Sequence, residues 1–246
     1  MSKVLSFKDI NKADAVELMT KELKPVIFWD TCMLLDVIRL PIPERNHSVD
    51  LLQKVIAIKN KIVSNEIISL SSVLCVNEFN KHVDSTKNEL IRASKSLTQA
   101  HNNFVGFINK YNFGGPQILE IDLSIYKLEE LVMNILDSII KNTFFIHEDQ
   151  IFKDFATFRT INGISPAKKK GEFKDCYIWG SCLECRKLAI DKSYPLYFMS
   201  SNTIDYANES KIEFVDEIDN EAKINGITYF PNFNIAYGKL KSTGVL

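Results

Sequence analysis

Nowhere in this 246-residue chain is there an uninterrupted apolar stretch long enough to span a bilayer, so no membrane partner is expected. The stretch Met1-Ser2-Lys3-Val4-Leu5-Ser6-Phe7-Lys8 lacks a long apolar core, so no secretory leader is expected and the chain is expected in the cytoplasm. Cysteine is scarce: five residues at irregular spacing exclude a regular disulfide framework and agree with a reducing compartment. Cys182 and Cys185 form a C-x-x-C, but inside an apolar helical pattern and without a second pair to complete a zinc tetrahedron, so packed thiols are expected. A net charge of −1 excludes capture of nucleic acid by the molecule as a whole and leaves room only for a local basic patch. There is no G-x-G-x-x-G, no P-loop, no internal repeat and no low-complexity tract. The histidines, His47, His82, His101 and His147, are scattered and read as surface or packing residues.

What is present is one domain's worth of core, expected to span residues 1–246 with an insertion rather than to form two independent folds. Its organising stretch is Val26-Ile27-Phe28-Trp29-Asp30-Thr31, an apolar run that stops at an acid and a hydroxyl. Such a run predicts a buried central strand of a parallel sheet, and ligands of open α/β sheets bind outside the carboxyl ends of the strands. Asp30 thus stands where chemistry is expected, although an Asp after a strand also serves as a plain helix cap.

Upstream, Ala13, Val16, Met19 and Leu23 predict a helix over 6–23, stopped by Lys24-Pro25. Downstream come a short amphipathic segment over 33–40, closed by Pro41-Ile42-Pro43, a helix over 47–61 and a strand over 67–70. Ser71-Ser72 supplies an N-cap for a helix with Val73, Val76 and Phe79 on one face and Glu78 about two turns in. By itself Glu78 reads as a solvated helix edge; a helix entered from a strand end, however, passes beside the neighbouring strand's carboxyl end, where Asp30 lies.

Leu90, Leu97, Phe104 and Tyr111 recur every seven residues, with Ala93, Ala100 and Phe107 between them, which predicts a long amphipathic helix. Gly114-Gly115-Pro116 breaks it, and a second helix is predicted over 123–140 from Leu128, Leu131, Val132, Ile135 and Ile139. The pair reads as a helical hairpin inserted over 85–150, its seam packed back on the parent domain or, alternatively, forming an oligomer contact.

Residues 160–171 predict a loop carrying Lys168-Lys169-Lys170, which empties into Glu172-Phe173-Lys174-Asp175 at the start of a buried helix marked by Ile178, Cys182, Leu183 and Leu188. Alone, the lysines are a solvated loop and Asp175 a cap; a basic, Gly-containing loop delivered beside an acid suits a phosphate substrate better. A strand over 196–199 ends in Ser200-Ser201-Asn202-Thr203-Ile204-Asp205-Tyr206, and strands at 214–215 and 227–230 complete the sheet.

Asp30, Glu78 and Asp175, brought within about 4–6 Å of one another, would raise one another's pKa values. A divalent cation reverses that repulsion. With no Cys or His at ligand spacing, the hard ions Mg²⁺ or Mn²⁺ are expected, held by carboxylates, waters and substrate phosphate oxygens. Such an ion polarises a phosphoryl group and acidifies a bound water.

These elements resemble the PIN-domain nucleases, among them longer bacterial PIN-like proteins with a helical insertion. The resemblance is carried by Ile27-Phe28-Trp29-Asp30-Thr31 with Asp36 six positions on, by Leu70-Ser71-Ser72-Val73 leading to Glu78, by Lys170-Gly171-Glu172-Phe173-Lys174-Asp175 with Ile178-Trp179, and by Phe198-Met199-Ser200-Ser201-Asn202-Thr203-Ile204-Asp205-Tyr206. It implies a three-layer α/β/α fold of the PIN type, with a central, mostly parallel sheet and an inserted helical hairpin. It also implies an acidic pocket that binds Mg²⁺ or Mn²⁺ and cuts RNA, in a toxin or antiviral-defence setting. On the same ground Asp30, Glu78 and Asp175 would be metal ligands, directly or through water, with Thr31 or Ser200 hydrogen-bonded to them. Asn202 stands where the family usually shows its fourth acid; its carbonyl can face a metal but adds no charge, so a second metal stays open and Asp205 is the candidate substitute. Lys168, Lys169, Lys170 and Lys174 are candidates for phosphate contact.

The leading expectation is a metal-dependent endoribonuclease, with DNA left open because no 2′-hydroxyl reader is specified. The alternative is a catalytically silent PIN-like scaffold that binds nucleic acid or a partner protein through the hairpin, favoured by the missing fourth acid and opposed by the three present. A phosphatase using Asp30 as nucleophile would carry a second Asp two residues on, where this chain has Cys32. A regulatory partner protein and a homo-oligomer are both compatible with the sequence.

Overall fold

The computed structural model describes residues 7–42, 45, 49–111, 115–169, 171–189 and 193–246. Its strands are β1 (Lys8–Ile10), β2 (Val26–Trp29), β3 (Ile68–Ser72), β4 (Phe144–Ile146), β5 (Leu196–Met199) and β6 (Ile227–Phe230). They form one sheet in the order β1-β4-β3-β2-β5-β6, and every pairing is parallel, where a mostly parallel sheet was expected. β2 is central because all its side chains are apolar and buried. Alternation sends Ile27 and Trp29 into one apolar layer and Val26 and Phe28 into the other.

The first layer is built by α2 (Thr31–Arg39), α3 (Val49–Val63), α4 (Val73–Tyr111), α5 (Leu128–Lys141) and α10 (Phe233–Ser242). α1 (Lys12–Glu22), α6 (Gln150–Asn162), α7 (Phe173–Leu188) and α9 (Asp216–Asn225) build the second, with the short α8 (Thr203–Tyr206) contributing Tyr206. A buried polar chain pins the first layer to the sheet. The Trp29 indole N–H donates to Ser69 Oγ at 2.7 Å, the Ser69 hydroxyl lies 2.6 Å from that of Thr143, and Thr143 donates to the Ile139 carbonyl at 2.8 Å.

Several expected elements are redrawn. The helix expected over 6–23 is strand β1 followed by α1, separated by Asn11, whose side chain caps α1 by accepting from Asp14 N at 2.9 Å; Ser6 lies outside the described residues, as do His47, Gly114 and Lys170. Ser71 and Ser72 both belong to β3, although Ser72 Oγ still takes the Leu74 N–H at 3.2 Å. The two helices expected over 73–111 are one, because no glycine or proline interrupts residues 73–105.

The segment 85–150, read as a helical hairpin, also holds β4, which pairs with β1 and β3, and the core residues Val132, Leu136 and Ile139 of α5. Packing of the α4 seam onto the parent domain extends to Leu90 and Ala93; beyond them Leu97, Phe104, Phe107 and Tyr111 are exposed. Residues 118–121 run along that distal arm, held by Asn102 and Asn109, each side-chain amide exchanging two bonds of 2.8–2.9 Å with the backbone of Ile121 and Ile118 respectively. The strand expected at 214–215 is an isolated bridge between Phe214 and Ala207. Among the described residues no helix is long and apolar enough to cross a membrane.

Candidate active site at the carboxyl edge of the sheet

β2 and β5 end side by side, and the chain leaves them toward opposite layers: α2 packs in the first and α8 and α9 in the second. Such a divergence opens a crevice at the carboxyl edge. Here it is a cleft of about 230 Å³ lined by Asp30 and Thr31 after β2, Glu78 on α4, Asp175 on α7, and Asn202 and Asp205 after β5.

Asp30 is 3% exposed. An ordinary N-cap carboxylate accepts from the second or third helical N–H. Asp30 Oδ1 instead takes the first, Thr31 N, at 2.6 Å, while Oδ2 takes the Ser200 hydroxyl at 2.5 Å and the Cys32 thiol at 3.1 Å. The first turn of α2 and the residue after β5 therefore together fix one carboxylate, which is more than a cap requires. Burial pushes the Asp30 carboxyl up despite these bonds, and the charge of Glu78 adds to the rise.

Glu78 is the sixth residue of α4; its Oε2 accepts from the Thr31 hydroxyl at 2.9 Å and its Oε1 from the Lys174 ammonium at 3.2 Å. Asp175, in the first turn of α7, accepts from the Asn202 side-chain amide at 3.2 Å, and its backbone carbonyl takes the Tyr206 hydroxyl at 2.9 Å. Its carboxyl is pushed up to about 8, first by burial and then by the charges of Asp30, Asp205, Glu172 and Glu78. Asp205, 4% exposed, thus acts electrostatically on Asp175 from the position three residues past Asn202.

A model of the PIN domain family matches residues 27–206, from the second residue of β2 to the end of α8. The chain belongs to the PIN-domain family. Neither the curated proteins nor the solved structures searched contain a match. PIN domains are generally nucleases that bind nucleic acid and use divalent metals, and the matched span contains all five acidic or amide residues named above as well as the distal arm.

Whether this PIN domain's own residues suit a divalent metal follows from its donor set. Among the described residues no three acids, histidines or cysteines converge tightly enough to enclose an ion as they stand. The oxygens are nevertheless hard donors, and the repulsion that lifts Asp175 is what a cation relieves. Mg²⁺ and Mn²⁺ need only one or two direct carboxylates when waters and phosphate oxygens complete the shell, so the set fits a hydrated hard cation.

Of the lysines singled out in the sequence, Lys174 lines the PIN-domain cleft. Lys168 instead pairs with Glu217 of α9 at 2.8 Å, and Lys169 is exposed outside the cleft lining. The loop between α6 and α7 is tied down from the same helix: Glu217 takes Ser165 N at 2.9 Å, and Arg159 bridges the Ser165 carbonyl to Glu221. The cleft also holds three polar residues to which the sequence reading gave no role in the site, Cys32, Glu172 and His82, the last read as a surface or packing residue. Helical spacing was an available signal for His82, four after Glu78, and for Glu172, three before Asp175, whereas Cys32, two after Asp30, had no such signal.

Proposed function

We propose that this PIN domain is a metal-dependent endonuclease that hydrolyses phosphodiester bonds, with RNA as its substrate and a toxin or phage-defence role. The observation that carries the reading is the meeting of Asp30, Glu78, Asp175 and Asp205 at the carboxyl edge of the sheet, with Asp175 lifted to about 8. Structural acids seldom gather where their mutual repulsion costs stability, whereas sites that bind cations need that field.

Asp30, Glu78 and Asp175 would hold the ion, and Mg²⁺ or Mn²⁺ would supply a polarised phosphoryl group and an acidified water. The remaining work falls to the chain. Ser200, Cys32 and the Thr31 N–H fix both oxygens of Asp30, and the Thr31 hydroxyl fixes Glu78, so the acids are preorganised. Asn202 orients Asp175 without adding charge, and Asp205 supplies the negative charge that Asn202 lacks. Lys174 sits between Glu78 and solvent, positioned to exchange that carboxylate for a substrate phosphate.

The test is cleavage of a mixed cellular RNA pool and of a single-stranded DNA in Mn²⁺, Mg²⁺ or chelator by the wild type, Asp30→Asn and Asp175→Asn. Metal-dependent fragments from the wild type alone, from RNA in preference to DNA, are expected. Folded protein that yields no fragments with either metal would favour the silent scaffold.

A further inference from the structure

α4 carries one heptad stripe along its whole length. Val76, Val83 and Leu90 at one position, and Phe79, Thr86 and Ala93 at the other, lie against the domain. Past Ala93 the domain falls away and the stripe continues as Leu97, Ala100, Phe104, Phe107 and Tyr111. There Leu97 is 45% exposed, Phe104 65%, Phe107 62% and Tyr111 54%. The helix cannot roll to hide these rings, because Val105 is buried and Asn102 and Asn109 clamp residues 118–121 on the other side. A sustained heptad stripe is the seam of a coiled coil, and this one lacks its second helix among the described residues.

We propose that the occupant is a second copy of this chain, and that two α4 arms pair antiparallel through their seams about a two-fold axis. Shape supports that orientation. Antiparallel pairing at the level of residue 102 sets Phe104 against the partner's Ala100, Leu97 against the partner's Phe107, and Tyr111 toward the partner's Ala93, so that large residues meet small ones in two of three layers. Parallel pairing would stack Phe on Phe and Ala on Ala, with rings crowded at one end and gaps at the other.

Charge supports self-pairing. Positions beside the seam are Ser94, His101 and Ile108 on one flank and Ser96, Asn103 and Lys110 on the other; antiparallel pairing sets like flanks together, so Lys110 would face the partner's Ser96 rather than another cation. Area supports it too: three rings of about 200 Å² each, exposed by half to two-thirds, put on the order of 350 Å² of aromatic surface on one stripe. That is a little under half of the roughly 800 Å² per partner of a standard interface, before Leu97 and the flanking side chains are counted.

Sedimentation velocity of the full chain over a concentration series tests the proposal. The mass of a dimer is expected for the wild type, and Phe104→Ser combined with Phe107→Ser should weaken association by at least about a hundredfold. A second measurement keeps the seam intact: spin labels at Asn103→Cys or Lys110→Cys in a Cys32→Ser chain, whose other cysteines are buried. The antiparallel pair predicts a short distance between the labels at 103, and labels at 110 separated by about 24 Å along the axis. A monomer at every concentration, a dimer untouched by the double substitution, or equally short distances at both positions would overturn it. So would a monomer whose arm instead binds single-stranded RNA, seen as a fluorescence anisotropy rise that the double substitution removes.

Discussion

Replacing Asp175 with Asn separates a cation site from a helix cap without any assay of catalysis. In the fold its carboxyl stands at about 8 against an ordinary 3.8. Because the folded value is the higher one, the folded state binds the extra proton. The stability this lends is full below about pH 4, declines as the pH rises, and is gone once the pH has passed about 8. At about 1.4 kcal/mol for each pH unit, the window spans on the order of 5 kcal/mol. In Asp175→Asn the side chain would be neutral throughout, and its amide carbonyl would still accept from the Asn202 amide that Asp175 engages at 3.2 Å. In urea denaturation with chelator, the variant should match the wild type near pH 4 and exceed it by several kcal/mol at pH 8 to 9. A variant less stable than the wild type at pH 8, or two parallel pH profiles, would refute the reasoning and return Asp175 to a capping role.

Other changes test the supports of the cleft and of the sheet. Ser200→Ala removes the 2.5 Å donor from Asp30 and should cost about 1–3 kcal/mol in chelator, read from the urea midpoint. Ser69→Ala leaves the Trp29 indole N–H buried without its 2.7 Å acceptor, a loss of about 1–3 kcal/mol that should leave the RNA cleavage rate unchanged in folded protein. Lys174→Gln frees Glu78 and removes one phosphate contact, so RNA binding should weaken and the slope of log affinity against log salt should fall by about 1.

Three strands were legible because their residues suit little else. Val26–Trp29, Leu196–Met199 and Ile227–Phe230 are short apolar runs bounded by turn residues, and each is a strand with those limits. β1 is only Lys8–Ile10, with two exposed residues and one partner strand, and the helical period that begins at Ala13 absorbed it. β4 is only three residues long and follows the apolar end of α5 closely, so Phe144–Ile146 received no element of its own inside the segment assigned to the insertion. α6 exposes Phe158 and Ile161 while burying Phe152 and Ala156, so its pattern pointed two ways. At the site, the strand-end rule placed Asp30 and the helix starts placed Glu78 and Asp175. Cys32, His82 and Glu172 gain meaning only once those acids are located, and that Lys168 turns to Glu217 depends on α9, which comes more than forty residues later.

The claim beneath all of this is that the clustered acids form a cation site, and Mn²⁺ titration by calorimetry at pH 7 and pH 9, in buffers of different ionisation enthalpy, measures it most directly. With Asp175 near 8, its share of the protons released on ion uptake should be close to one at pH 7 and about a tenth of one at pH 9, and Asp175→Asn should weaken binding and remove that share. Absence of binding by the folded protein, or uptake that Asp175→Asn leaves unaltered, would contradict the account.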